Sequence, residues 1–181
     1  MARRNEVIED SWQLLQLNES SFGFSDWFKC EKDDINDFYL NDAIKYKKLL
    51  LAETYIFLLD KKIPVALVSL TNDKIELPDE KKLQYIPEEK SYLRHLPAVK
   101  IARLGVCKEY QGLGIGTKLI NMCKKLFVSY NRTGCRFVTV DAYNEDKVKS
   151  FYKKNNFIFL SSRDIKSKTR VMYCDLKPYL H

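Results

Sequence analysis

One short stretch carries most of the chemical information in this chain. Gln111-Gly112-Leu113-Gly114-Ile115-Gly116-Thr117 sets three glycines at alternate positions, and an apolar series at helical spacing follows: Ile115, Leu119, Ile120, Met122, Cys123, Leu126 and Phe127. A helix N-terminus presents backbone N–H groups without intrahelical acceptors and the positive end of the macrodipole, so it attracts phosphate. Glycines let the backbone come close to the phosphate oxygens and adopt conformations closed to other residues. The spacing fits neither the dinucleotide pattern G-x-G-x-x-G nor the nucleoside-triphosphate pattern G-x-x-x-x-G-K-S/T. The plain alternative is a glycine-rich turn that merely packs a helix on a sheet.

Further along, Phe151-Tyr152 lies within a helical stretch from Glu145 to Asn155, and its phenol is a candidate proton donor. The alternative for Tyr152 is one half of an aromatic pair on a buried helix face. Glu53, Glu109 and Asp141 are the carboxylates nearest these blocks, but spacing alone sets none of them at an acceptor. Cys107 follows a strand and reads as a packing residue.

These residues need a scaffold, and the rest of the chain outlines one. Trp12 to Leu17 reads as a first strand, and Asp33 or Asp34 caps a helix running to about Leu50, with Ile35, Phe38, Tyr39, Ala43, Tyr46, Leu49 and Leu50 at helical spacing. Thr54–Leu59 and Val65–Leu70 form a hairpin around Asp60-Lys61-Lys62. Residues 72–97, with Pro78, Pro87 and Pro97, read as an inserted surface connection containing a short helix, placed to shape a substrate entrance or to serve as a plain loop. Then come a strand over 99–106, a helix from Gly114 to about Tyr130, a strand over 135–141, the helix 145–155, and closing strands at 157–160 and 171–176. The polar run Ser161–Thr169 between the last two has the composition of a flexible loop. The order predicts an α/β fold around one mixed sheet.

The chain has 181 residues, and 31 basic against 24 acidic side chains give it a net charge of +7. One domain, residues 1–181, is the expectation for this length. The charge is graded: net −5 over residues 1–60, +4 over 61–120 and +8 over 121–181. That gradient suits an anionic partner of the C-terminal part, or a solvated basic surface with none. Five cysteines without a C-x-x-C pair, and two histidines, argue against a disulfide framework and a metal site, and fit a reducing cytoplasm. The opening MARRNEVIEDSW lacks the apolar stretch of a secretory signal, and no apolar run is long enough to span a membrane, so no membrane role is expected.

The stretch RLGVCKEYQGLGIGT, residues 103–117, resembles the acetyl-CoA loop of the GNAT family of N-acetyltransferases. The family pattern Q/R-x-x-G-x-G/A at a strand-to-helix junction is met by Gln111, Gly114 and Gly116. VDAYNEDKVKSFYKKNNF, residues 140–157, is similar to the family's second block, with Asn156 where glycine is usual. Asparagine is the next-best residue for a left-handed helix end. The resemblance implies a GNAT-type acyl-CoA N-acyltransferase fold: a central mixed, mostly antiparallel sheet flanked by helices. It also implies acetyl-CoA as the acetyl donor, with no metal. Backbone groups at Leu104, Gly105 and Val106 would hold the pantetheine arm and polarise the thioester carbonyl. The loop Gln111, Gly112, Leu113, Gly114, Ile115, Gly116 and Thr117 would hold the pyrophosphate. Asn144 would contact the arm or act only as a helix N-cap. Tyr152 would protonate the departing CoA thiolate, a phenol of pKa ~10 facing a thiol of pKa ~8.5.

The general base and the acceptor amine stay open. A helix reading Ile35 to Tyr46 (INDFYLNDAIKY), a hairpin starting TYIF and the strand KIARLGV resemble a subset of the family that acts as toxins on aminoacyl-tRNA, each paired with an antitoxin. On that resemblance the partners would be tRNA and an antitoxin; otherwise the acceptor is an amine of ordinary metabolism. Family members often form homodimers. A non-catalytic acetyl-CoA-binding module is the remaining alternative.

Overall fold

The computed structural model describes residues 7–9, 12–20, 28–129 and 133–180. Tyr130, Arg132, His181 and the first six residues lie outside them. The chain forms two compact units: residues 1–71 with 101–126, and residues 72–100 with 127–181.

The first unit holds β1 (Val7–Glu9), β2 (Trp12–Gln16), α1 (Asp33–Asp37), α2 (Ala43–Lys48) and β3 (Glu53–Leu59). It also takes the first part of β4 (Ile63–Ile75), the last part of β5 (Leu96–Val106) and most of α4 (Ile115–Ser129). Its strands follow the order β1-β2-β3-β4-β5, and the pairs β1–β2, β2–β3 and β3–β4 are antiparallel. Six consecutive residues of β4, Val65–Leu70, are buried, as a strand covered on both faces requires. Asp60 and Lys61 both take left-handed backbone conformations (φ 51° and 57°), and the Lys62 N–H donates to the Leu59 carbonyl. That is the primed turn matching the twist of a hairpin. β1 had no counterpart in the sequence reading; three residues carry no usable periodicity.

The helix expected from Asp33 or Asp34 to about Leu50 is not continuous. α1 passes into a π-helical turn, Phe38–Asp42, before α2 resumes and ends at Lys48. Phe38, Tyr39 and Ala43 are buried, but Leu49 and Leu50 are exposed rather than on the apolar face. Leu50 takes a left-handed conformation (φ 57°), and the Leu51 N–H closes the end onto the Tyr46 carbonyl, a position where glycine is usual.

The second unit holds the last part of β4, α3 (Asp79–Lys82), the first part of β5, β6 (Phe137–Tyr143), α5 (Asp146–Lys154), β7 (Ile158–Phe159) and β8 (Thr169–Asp175). Its strand order is β4-β5-β6-β8-β7, with β6–β8 and β7–β8 antiparallel. Sheets with helices packed on them make this the mixed, mostly antiparallel α/β fold that the family resemblance implies.

The connection 72–97 is shorter than the sequence suggested. β4 runs on to Ile75 and β5 begins at Leu96, leaving residues 76–95 between them. The middle is not a loose surface loop. Ile75, Leu77, Leu96, Ala98, Phe137 and Tyr173 form a buried cluster, and Tyr85 packs edge-on against Phe137 with its hydroxyl 3.0 Å from that of Tyr173. Lys82 is buried and donates to the Asp79 carboxylate (2.8 Å) and the Ser91 carbonyl (3.1 Å).

Ser161–Thr169 also departs from expectation, being tied rather than flexible. Asp164 accepts from Arg170 Nε (2.8 Å) and from the Val171 N–H (2.6 Å), and Arg170 donates onward to the Ser161 carbonyl. Partial desolvation pushes the Asp164 carboxyl up, but the Val171 N–H and the Arg170 guanidinium outweigh it and hold the group below the usual carboxylate range. A depressed folded-state pKa contributes stability above the unfolded value of ~3.9, and that contribution is lost as pH falls through the lower folded value. Asp164→Asn is therefore expected to lower stability at neutral pH by about 1–3 kcal/mol. The difference from wild type should shrink as pH falls below the unfolded value in urea-unfolding titrations; a difference independent of pH would contradict the assignment.

Candidate functional site

Gly105 sits in β5 with no room for a side chain. A Cβ there would meet Phe28 Cζ at 2.5 Å and Ile35 Cγ2 at 3.1 Å. Phe28 is itself packed edge-to-face on Tyr39, which is fully buried, so its ring has little freedom to retreat. The strand end that the family resemblance implies for the pantetheine arm is thus covered on one side by an aromatic ring lying against bare backbone. Leu104 and Val106 flank it half-buried. Gly105→Ala should destabilise by about 1–3 kcal/mol through overpacking, read as a fall in thermal midpoint.

Beyond β5 the chain is anchored at once. The Cys107 N–H donates to the Val65 carbonyl (2.9 Å) and the Lys108 N–H to the Lys29 carbonyl (3.0 Å). A single 3-10 turn, Lys108–Tyr110, then delivers Gln111, whose Nε2 donates back to the Val106 carbonyl at 3.1 Å. The Gln111 side chain therefore closes the loop onto the strand, a role that spacing alone did not reveal.

Gly112 (φ 78°) and Gly114 (φ 79°) both take left-handed conformations. No atom lies within 4 Å of a Cβ built on either, so glycine is required there by backbone conformation and not by crowding. The Gly114 carbonyl accepts the first helical bond, from the Lys118 N–H, and α4 begins. Leu113 between the glycines is exposed, Ile115 is buried as the first anchor of the helix, and Gly116 and Thr117 complete the first turn. Open space at two glycines that immediately precede a 15-residue helix suits an anion approaching the backbone.

Tyr152 belongs to the second unit, on α5. It is buried, with ring contacts to Phe151 (5.1 Å) and Phe157 (5.3 Å). α5 ends as the sequence predicts: Asn156 is left-handed (φ 66°), and the Phe157 N–H reaches the Tyr152 carbonyl. Asn144 is not the N-cap of α5; Glu145 is. The Asn144 amide instead donates to the Ile165 (2.8 Å) and Ser167 (3.0 Å) carbonyls, and its oxygen accepts from Lys149. It clasps the loop before β8, which sequence distance concealed.

The candidate bases are differently placed. Glu53 accepts from Gln16 and Lys47, Asp141 accepts from Lys100 (3.0 Å), and Glu109 is exposed. Burial above all pushes the Cys107 thiol up, which keeps it protonated and suits packing better than nucleophilic attack. Among the described residues, no group of three or more His, Cys, Asp or Glu side chains could hold a metal ion, and no helix is long and apolar enough to cross a membrane.

Gly114→Ala isolates the loop's contribution. A residue with a Cβ at φ 79° costs roughly 1–2 kcal/mol, and the new methyl stands where an anion would approach. CoA affinity by calorimetry should fall about tenfold or more.

Residues 80–158 match a family model described as an acetyltransferase (GNAT) domain. No curated protein sequence matches the chain. Among solved structures, a mutant of KacT superposes with a TM-score of 0.75 at 18% identity, covering 93% of this chain and 97% of that one. AtaT complexed with acetyl-methionyl-tRNAfMet gives 0.72 at 19% identity, covering 93% and 96%. AtaTR bound with acetyl-CoA gives 0.68 at 17% identity, covering 94% and 96%. Identities this low establish a shared fold.

Proposed function

We propose that the chain is a GNAT acetyltransferase, as the match over residues 80–158 suggests, and that residues 1–181 act as a single acetyltransferase domain that moves an acetyl group from acetyl-CoA directly to a primary amine. The observation that carries this reading is the loop 111–117: two left-handed glycines, open space where their side chains would stand and a long helix behind them. The N–H groups from Gly112 to Thr117 hold the pyrophosphate, and the backbone at Leu104–Val106 engages the arm. The amine lone pair attacks the thioester carbonyl carbon, and the carbonyl π electrons move onto oxygen. A backbone N–H of the β5 end stabilises that oxyanion. Collapse re-forms the carbonyl and breaks the C–S bond, Tyr152 donates its proton to the leaving sulfur, and the amine releases a proton to water. Asn144 supports the site through the loop it clasps and through the arm it would contact. The setting is the cytoplasm, with no metal required.

A second reading specifies the acceptor as the amino group of an aminoacyl-tRNA, with an antitoxin as protein partner and a homodimer as the assembly. The net charge of +8 over residues 121–181 favours it, as does the fold shared with AtaT, which has been captured with acetyl-methionyl-tRNAfMet.

Tyr152→Phe decides the acid. Turnover with acetyl-CoA should fall at least about 100-fold while CoA affinity holds. Turnover close to wild type would remove Tyr152 from the mechanism, and CoA binding without transfer to any amine would point to a non-catalytic module. Labelled acetyl-CoA with charged tRNA decides the acceptor, and absence of label on the aminoacyl end would reject the second reading.

A further inference from the structure

We propose that the loop between β7 and β8 is a preorganised phosphate-binding surface for the backbone of a structured RNA. It rests on the reading in which the acceptor amine is carried by tRNA.

The loop and its border, Ser161–Thr169, hold three basic residues, Arg163, Lys166 and Lys168, and one acid, Asp164. The structure separates them by sign. Asp164 turns inward, where Arg170 and the Val171 N–H take both carboxylate oxygens. Arg170 is buried, with its guanidinium 4.2 Å from the centre of the Phe159 ring. Arg163, Lys166 and Lys168 are exposed, and none forms an ion pair with a carboxylate among the described residues. Lys100, Arg136 and Lys149 of the same unit, in contrast, each sit on a carboxylate. Lys153 lies 5.1 Å from the centre of the same Phe159 ring, which adds a fourth cation at the border.

The backbone that carries these cations is fixed. Asn144 donates through its side chain to the Ile165 and Ser167 carbonyls and through its N–H to the Lys168 carbonyl, and Arg170 holds the Ser161 carbonyl. Ordering a flexible basic loop on a ligand would subtract from affinity, and here that ordering is already done. The display fits a polyanion that offers several phosphates at once and releases counterions when they are neutralised. A lipid surface fits less well, since Ile165 is the one large apolar side chain exposed on the loop and interfacial binding needs a broad apolar face.

The test compares the full-length protein with the triple variant R163Q/K166Q/K168Q by fluorescence anisotropy on labelled tRNA, across a salt series. Loss of three phosphate contacts should make the log–log salt slope shallower by about 2–3 and weaken binding at least tenfold near 0.1 M salt. CoA affinity should not change, which shows that the variant is folded. Equal tRNA affinity and slope in the two proteins would overturn the proposal. So would variant-sensitive binding to phosphatidylserine vesicles with none to tRNA. Acetyl transfer separates the two claims. Wild-type protein that binds tRNA through these residues yet leaves the aminoacyl end unlabelled sinks the acceptor reading alone. Transfer that is undiminished in the triple variant, with unchanged tRNA affinity, sinks the loop alone.

Discussion

The turn from β5 into α4 rests on two backbone positions that only glycine occupies without strain. Gly112 and Gly114 both turn left-handed, and they lie in the eight residues, 107–114, that join the strand to the helix. Both ends of that connection are held. The Gln111 amide ties the entry to Val106, and Ile115, Leu119 and Ile120 bury the exit in the core of the first unit. Nothing lies within 4 Å of where a Cβ would stand on either glycine, so the turn is uncrowded at both positions. The phosphate-binding role proposed for the loop would thus follow from a conformational requirement, with no charged side chain needed in the loop itself.

Polar side chains in the second unit serve a different purpose. Arg136 grips Asp175 through two hydrogen bonds (2.7 and 3.1 Å), Lys82 is buried against Asp79 and a carbonyl, and Asp164 faces Arg170. Each pairing satisfies a group that burial alone would penalise, and each fastens a segment with little regular structure of its own. The Tyr85–Tyr173 contact does the same for the stretch between β4 and β5. Long connections of this kind are held by a few specific contacts rather than by ladders of backbone bonds.

Much of this was legible in the residues. The glycine spacing marked the loop, the apolar period marked α4, and Asn156 in a glycine position correctly signalled a left-handed helix end. The polar Asp60-Lys61-Lys62 run between two apolar stretches likewise marks the hairpin. What escaped notice depended on partners distant in sequence. Asn144 looks like a cap because it precedes a helix, yet its amide is spent on carbonyls 21 and 23 residues away. Ser161–Thr169 looks flexible by composition because composition cannot show that its acid has a buried arginine waiting. Residues 72–75 and 96–97 look like connection because alternation over a few residues beside prolines is a weak signal, although the sheet claims them. The roles proposed at Leu104, Gly105 and Val106 rest on backbone groups, which no side-chain pattern reports.

The π-helical turn at Phe38–Asp42 bears on how this region tolerates changes of length. Ile35 and Ala43 are eight residues apart, and on an unbroken α-helix they would lie about 80° out of phase. With one residue taken up in the wider turn, the effective separation is seven, and the two fall within about 20° of each other. Both are in fact buried. The turn acts as a spacer that hides a single-residue insertion from the core. A version of this chain one residue shorter between Asp37 and Ala43 would keep the same apolar face in plain α-helix, and a strict 3.6-residue period would then describe it from end to end.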